Sequence, residues 1–216
     1  RLNVERVCVV RGDADIDSGV MAEVARAAAR QIRFLLQDAH VMAVTGGRTV
    51  ALTAEAISVA APMDITVVPA QGGMGGGVST QANTVAERFA QKLGGYYRFL
   101  HLPDGLSGAA ADELARLPQV REPLELVRHA DVLLYGIGRA IELAQRRGLS
   151  AAERDKLAQE GAVAEALGFY INAQGRVVGG GSSLAIQPED IGRKNRAAAV
   201  AAGRAKAEAI LAVCAH

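Results

Sequence analysis

Short apolar runs, glycine-bearing turns and stretches with apolar residues three and four apart follow one another along this chain. Val41 to Val44, Asp64 to Pro69, Tyr97 to Leu102, Asp131 to Tyr135 and Arg196 to Ala202 read as strands, and Val7 to Val10 as a further short buried one. Between them, Ser18 to Asp38 carries Val20, Met21, Val24, Ala28, Ile32, Leu35 and Leu36 at helical spacing, with Ser18 as the N-cap. Helices are also predicted from the TGGRT turn to about Val59, over Ser79 to Leu93, after Gly136-Ile137-Gly138, and over Arg204 to Val213. The rhythm breaks at Gly168 to Ile186. There Phe169–Asn172 and Arg176–Val178 flank Ala173-Gln174-Gly175 as a β-hairpin, an addition at a sheet edge or domain rim. The pattern predicts one α/β domain over residues 1–216: a mostly parallel sheet with flanking helices and a small hairpin excursion.

Composition agrees with that class. Half of the 216 residues are apolar, Trp is absent, and Phe and Tyr number four each, so the core is filled with Ala, Val, Leu and Ile. The formal net charge of +1 provides no global basic field for nucleic acid or an anionic membrane. No apolar run approaches the roughly 18 residues of a membrane span, and no signal-peptide pattern opens the sequence. Cys8 and Cys214 sit in apolar surroundings without C-x-x-C or histidine spacing, which predicts buried small hydrophobes in a reducing cytoplasm and no metal site.

The candidate chemistry lies in three loops of one design, in which a strand ends, glycines follow and a helix begins: residues 45–49, 71–77 and 136–138. Glycine lets a backbone approach a ligand, and the helix start offers unpaired N–H groups, so the combination suits an anion. Gly46, Gly47 and Gly72 are the backbone candidates, with Arg146, Arg147 and Lys206 as nearby cations. Glu165 lies in an apolar stretch, AVAEALG, where a carboxylate needs a partner, either an arginine or a sugar hydroxyl. No P-loop, G-x-S-x-G or H-E-x-x-H occurs, and the run from Gly136 ends its dinucleotide-like pattern on the bulky Ile141. No catalytic residue is identified.

The segments VMAVTGGRT, VVPAQGGMG, STQANTVAERFA, YGIGRA…AQRRG, AVAEALGFYINAQGRVV and AGRAKAEAI resemble, in order, the effector-binding domain of SorC-type bacterial transcriptional regulators. The resemblance implies a Rossmann-like scaffold shared with sugar-phosphate isomerases and deaminases but used for sensing. It implies a repressor of sugar and central glycolytic genes whose effector is a phosphorylated sugar such as fructose 1,6-bisphosphate, with no cofactor. It further implies a homo-oligomer, dimer or tetramer, whose operator DNA is held through an N-terminal domain absent from this chain. A further strand and helix are expected after the AEAI segment. Carried onto matching positions, the implied ligand contacts are Arg48, Thr49, Gln71, Gln81, Arg146, Glu165 and Lys206. Two depart from the family pattern, which has Thr at position 48 and Arg at position 71. The competing reading is an aldose–ketose isomerase or amino-sugar-phosphate deaminase, for which Glu165 is the sole candidate base.

Overall fold

The computed structural model describes residues 4–73, 77–103, 108–180, 185–187, 190–191 and 196–216. Five strands form a parallel sheet: β1 (Val41–Val44), β2 (Thr66–Pro69), β3 (Tyr96–Tyr97), β4 (Val132–Gly136) and β9 (Arg196–Val200), in the order β3-β2-β1-β4-β9. Side chains on successive strand residues face opposite ways, and here both faces are covered. Met42, Val44, Val67, Val132 and Leu134 pack on one side, while Ala43, Val68, Leu133 and Tyr135 pack on the other. That is why these strands read as continuous apolar runs rather than alternating ones.

The first face is covered by α1 (Ser18–Leu35), α2 (Arg48–Ala56) and α3 (Ala82–Leu93), which contribute Ile32, Val50 and Phe89 among others. The second is covered by α5 (Pro118–Arg128) through Val120, Leu124 and Val127, and by α8 (Ala207–Ala215) through Ala209 and Ala212. α4 (Gly108–Arg116) precedes α5 and packs against it.

A second sheet completes that covering. β5 (Gly138–Arg139), β6 (Ala162–Ala166), β7 (Phe169–Asn172) and β8 (Val177–Gly180) are antiparallel in sequence order. Ala164, Ala166, Phe169 and Ile171 face the main core. Ala162 and Tyr170 face a smaller cluster with Ala140 and Ala144 of α6 (Ala140–Arg146) and Leu157 of α7 (Ala151–Gln159). Ala162 and Ala164 have equal parity yet face opposite ways because the β6–β7 register shifts between them. The expected hairpin is present as β7–β8, but as half of a four-stranded sheet rather than an ornament on the parallel one. Asn172 builds its turn by accepting from the N–H groups of Gln174 and Arg176.

Other expectations are corrected. Val7 to Val10 form no strand; Val7 and Val9 are 68% and 84% exposed, and Cys8 is exposed while Cys214 is half-buried. An apolar run becomes a buried strand only where a neighbour pairs with it. The third strand is two residues long, and the N-cap of α1 is Asp17, whose carboxylate accepts from Gly19 N at 2.8 Å. Met74, Gly75 and Gly76 of the 71–77 loop lie outside the described residues.

Candidate functional site

Parallel strands place all their following loops at one edge of the sheet. From β1 the chain proceeds to β2 on one side, whereas β4 is joined by β9 on the other, so strand order reverses between β1 and β4. In open α/β sheets a crevice for ligands forms at such a reversal. The loops after β1, β4 and β9 flank it, with neighbouring strands about 4.8 Å apart.

Thr45 ties the first two loops together. Its hydroxyl accepts from Gly136 N at 3.1 Å and donates to Gly46 O at 3.1 Å, and Thr45 N donates to Leu134 O at 3.0 Å. Gly46 is required by packing, since a Cβ there would lie 2.5 Å from the carbonyl oxygen of Thr80 and 3.0 Å from Ala82 N. Gly47 caps α2 with φ 112° and donates to Thr80 O at 2.8 Å. The loop after β1 is thereby clamped against Gln81, the N-cap residue of α3. The Q-A-N-T run has a second use here: the Asn83 amide donates to Leu100 O and accepts from Leu100 N. The strand-like stretch leading to Leu102 is thus fixed, and Gly72 and Gly73 rest on it, with Gly73 N donating to Leu102 O at 2.9 Å.

Side chains of the candidate residues differ in setting. Arg48 is exposed at the start of α2, with no hydrogen bond or ion pair among the described residues. Thr49 is buried, its hydroxyl donating to Sδ of Met21 on α1 at 3.6 Å. Gln71 is buried two residues after the end of β2.

On the far side of β4, Gly138 of the third glycine loop pairs with Glu165 of β6. Alternation turns Glu165 away from Ala164 and Ala166, toward the side where α6 packs. Its Oε1 accepts from Arg147 Nη2 at 2.8 Å and from Gly168 N at 2.7 Å, and both charged side chains are about nine-tenths buried. Of the two partners that the sequence left open for Glu165, the structure shows the arginine. Arg147 caps α6 while Arg146, one residue earlier, is exposed. A pair of adjacent arginines does not reveal in sequence which one turns inward.

Lys206 is the N-cap of α8, half-buried, reached from β9 through Ala202 and Gly203. Burial and then the Arg146 guanidinium push its pKa below the ordinary lysine value, while Glu142, Asp15 and Glu165 act the other way. Lys206, Arg146 and the Arg147–Glu165 pair therefore share one electrostatic neighbourhood. Asp13 and Asp15, which the sequence did not single out, accept from the N–H groups of Arg204 (3.1 Å) and Ala205 (2.8 Å) just before Lys206. No group of three or more His, Cys, Asp or Glu side chains able to hold a metal ion occurs among the described residues, and no described helix is long and apolar enough to cross a membrane.

With this geometry in hand, comparisons with known proteins add the following. The sugar-binding domain family matches residues 1–215. The central glycolytic genes regulator of Bacillus subtilis is 38% identical over 211 residues, covering 97% of this chain and 62% of that protein. The chain thus spans about three-fifths of the length of that relative. The crystal structure of a SorC family transcriptional regulator from Enterococcus faecalis superposes with a TM-score of 0.90 at 34% identity, covering 99% of this chain and 88% of that one. The full-length sorbitol operon regulator SorC from Klebsiella pneumoniae shares the fold at a TM-score of 0.87 and 16% identity, over 99% of this chain and 71% of that one.

Proposed function

Because the chain belongs to the sugar-binding domain family of SorC-type transcriptional regulators, we propose that it is the effector-sensing domain of a bacterial repressor of sugar and central glycolytic genes, binding a phosphorylated sugar such as fructose 1,6-bisphosphate. The observation that carries this reading is the strand-order reversal between β1 and β4. The first and third glycine loops border it, joined through Thr45, and Lys206 and Arg146 share the electrostatic neighbourhood of Glu165, which pairs with Gly138 of the third. Backbone N–H groups at a helix start with flanking cations recognise phosphate by charge and by directed hydrogen bonds.

In this reading Gly46, Gly47 and Thr49 present the start of α2 to one phosphate, with Arg48 at hand. Gln71, Gly72 and Gln81 line the β2 side. Arg146 and Lys206 face a second phosphate, and Glu165 orients the sugar end of the site through its bond with Arg147. The module needs no cofactor and catalyses nothing. It works as a dimer or tetramer in the cytoplasm, and the operator is held by a DNA-binding domain elsewhere in the full protein. Sugar-phosphate isomerisation or deamination is the alternative on this scaffold, and it requires a base free to move a proton at C1–C2. Glu165 is instead engaged by a guanidinium and a backbone N–H, which favours binding.

Thermal denaturation tests the reading. A ligand at a hundred times its Kd stabilises by about 2.7 kcal/mol, equivalent to about 5–10 °C for a domain of this size at ~2–4 °C per kcal/mol. Fructose 1,6-bisphosphate should produce that shift, and fructose none. Equal shifts from both sugars, or turnover of the phosphosugar to an isomer, would remove the sensor assignment.

A further inference from the structure

Among the described residues, the segment before α1 is hydrogen-bonded to the body beyond α1 in one place. Residues 4–12 form no strand, and Val4, Val7, Val9 and Ile16 are exposed. Among the described residues, the hydrogen bonds that tie residues 4–17 to the body beyond α1 are those of Asp13 Oδ1 with Arg204 N and Asp15 Oδ2 with Ala205 N. The hook is built rather than incidental. Ile16 N and Asp17 N both donate to Asp13 O, and Asp15 N donates to Asp13 Oδ1, so residues 13–17 form a tight turn. Gly203 has φ 105°, and a Cβ there would lie 2.3 Å from Asp15 Oδ1, so the glycine is what admits the carboxylate.

We propose that Asp13 and Asp15 form a releasable latch: a sugar phosphate arriving at Lys206 competes with Asp15 for the cationic 203–206 loop and frees the segment before α1. This rests on the binding reading above and adds how occupancy of the site is transmitted out of it. The amides of Arg204 and Ala205, which a helix-start site would offer to an anion, are already taken by these two carboxylates. Asp15 is close enough to Lys206 to favour its charged form. A phosphate drawn to Lys206 brings a second negative charge beside the exposed Asp15, and the two like charges repel at close range. The Asp15 contact yields because its side chain belongs to a segment with few other ties.

Cys8, exposed in that segment, provides the reporter. A thiol-reactive fluorophore is placed on it in Cys214→Ala protein, and fructose 1,6-bisphosphate is titrated by fluorescence and calorimetry in parallel. The Cys8 signal should follow the calorimetric isotherm. Asp13→Asn with Asp15→Asn should start at the released signal, stay there, and bind the sugar about three- to tenfold more tightly. Independently of any latch substitution, amide exchange at Asp15, Ile16 and Asp17 should speed up when the parent is saturated. Calorimetric binding with an unmoved Cys8 signal and unchanged exchange, or weaker binding by a folded double variant, overturns the latch and leaves the binding reading standing. No heat of binding in either protein overturns the binding reading, and the latch with it.

Discussion

The two sheets treat polar groups in opposite ways. Apart from the Tyr135 phenol, the described strands of the parallel sheet bury no polar side chain; the buried threonines and glutamine sit in the loops and helices around it. Its contribution to a site is backbone, presented by glycine loops that follow the strands. The antiparallel sheet buries Glu165 in β6 and Asn172 in β7 within the strands themselves. One satisfies a hairpin turn and the other is neutralised by Arg147. A ligand held between them would meet fixed amides on one side and a charged pair on the other. The first arrangement tolerates side-chain change as long as the glycines remain, whereas the second depends on both members of the pair.

Breaking the pair should give the largest effect. Arg147→Met leaves a carboxylate about nine-tenths buried without its guanidinium, which costs about 3–5 kcal/mol. Arg147→Met with Glu165→Leu should recover most of that loss in urea denaturation, because a buried ion pair and an apolar pair of similar volume are often equivalent. Leu133→Ala in the parallel sheet, at a position fully buried between two layers, should cost about 2–5 kcal/mol with no second change to rescue it. Rescue in both sheets, or in neither, would erase the distinction.

The same contrast decides what was legible in the sequence. Val41 to Val44 was readable to the residue because a strand buried on both faces is an unbroken apolar run, and the glycine loops after β1, β2 and β4 followed from it. Val7 to Val10 has the same composition and forms nothing, since no strand lies beside it; composition alone does not supply a partner. β6 went unread because Glu165 interrupts its apolar pattern and a register shift disturbs its alternation. α7 has only Leu157 buried, so it shows no apolar stripe. Its start was nonetheless written in Ser150 and Glu153, which form a reciprocal capping box, as the start of α5 was in Pro118. Nothing local marks Asp13 and Asp15, whose partners are about 190 positions away.

Lys206 stands where the two sheets meet, after the last parallel strand and beside Arg146 and Glu165. Lys206→Ala should remove a charge-assisted contact of about 1.5–3 kcal/mol, which corresponds to about ten- to a hundredfold in affinity. Its pKa is lowered in the free protein, chiefly by burial and then by Arg146, so the cation is less favoured there than in the unfolded chain. A phosphate restores the charged form. Binding should therefore take up protons in calorimetry as pH rises into the lowered range, and affinity should fall as pH climbs further. The stability sign is opposite: the cost of holding this lysine charged is present below its folded pKa and is relieved as pH rises toward the ordinary lysine value of the unfolded chain. Equal affinity of Lys206→Ala and parent would remove this junction from the site.

The smallest effect, and the sharpest test of the backbone side, concerns Arg48 and Gln71. The resemblance to SorC-type regulators implies Thr and Arg at these positions, which would place the cation at the start of α2 instead of in the loop after β2. Arg48 is exposed and makes no hydrogen bond or ion pair among the described residues, while Gln71 is buried. A guanidinium free to turn at a helix start can fork onto a phosphate bidentately, which a glutamine amide does not match. If one arginine serves the same phosphate from either loop, Arg48→Thr alone should weaken fructose 1,6-bisphosphate binding, and Gln71→Arg added to it should restore the affinity. The two changes would then be coupled by more than the ~0.5 kcal/mol expected of independent sites. Additive effects would mean that the arginines act on different parts of a ligand. The amides of the β1 loop would then hold their phosphate without an arginine, and the exchange at positions 48 and 71 would mark a change in which phosphosugar is sensed.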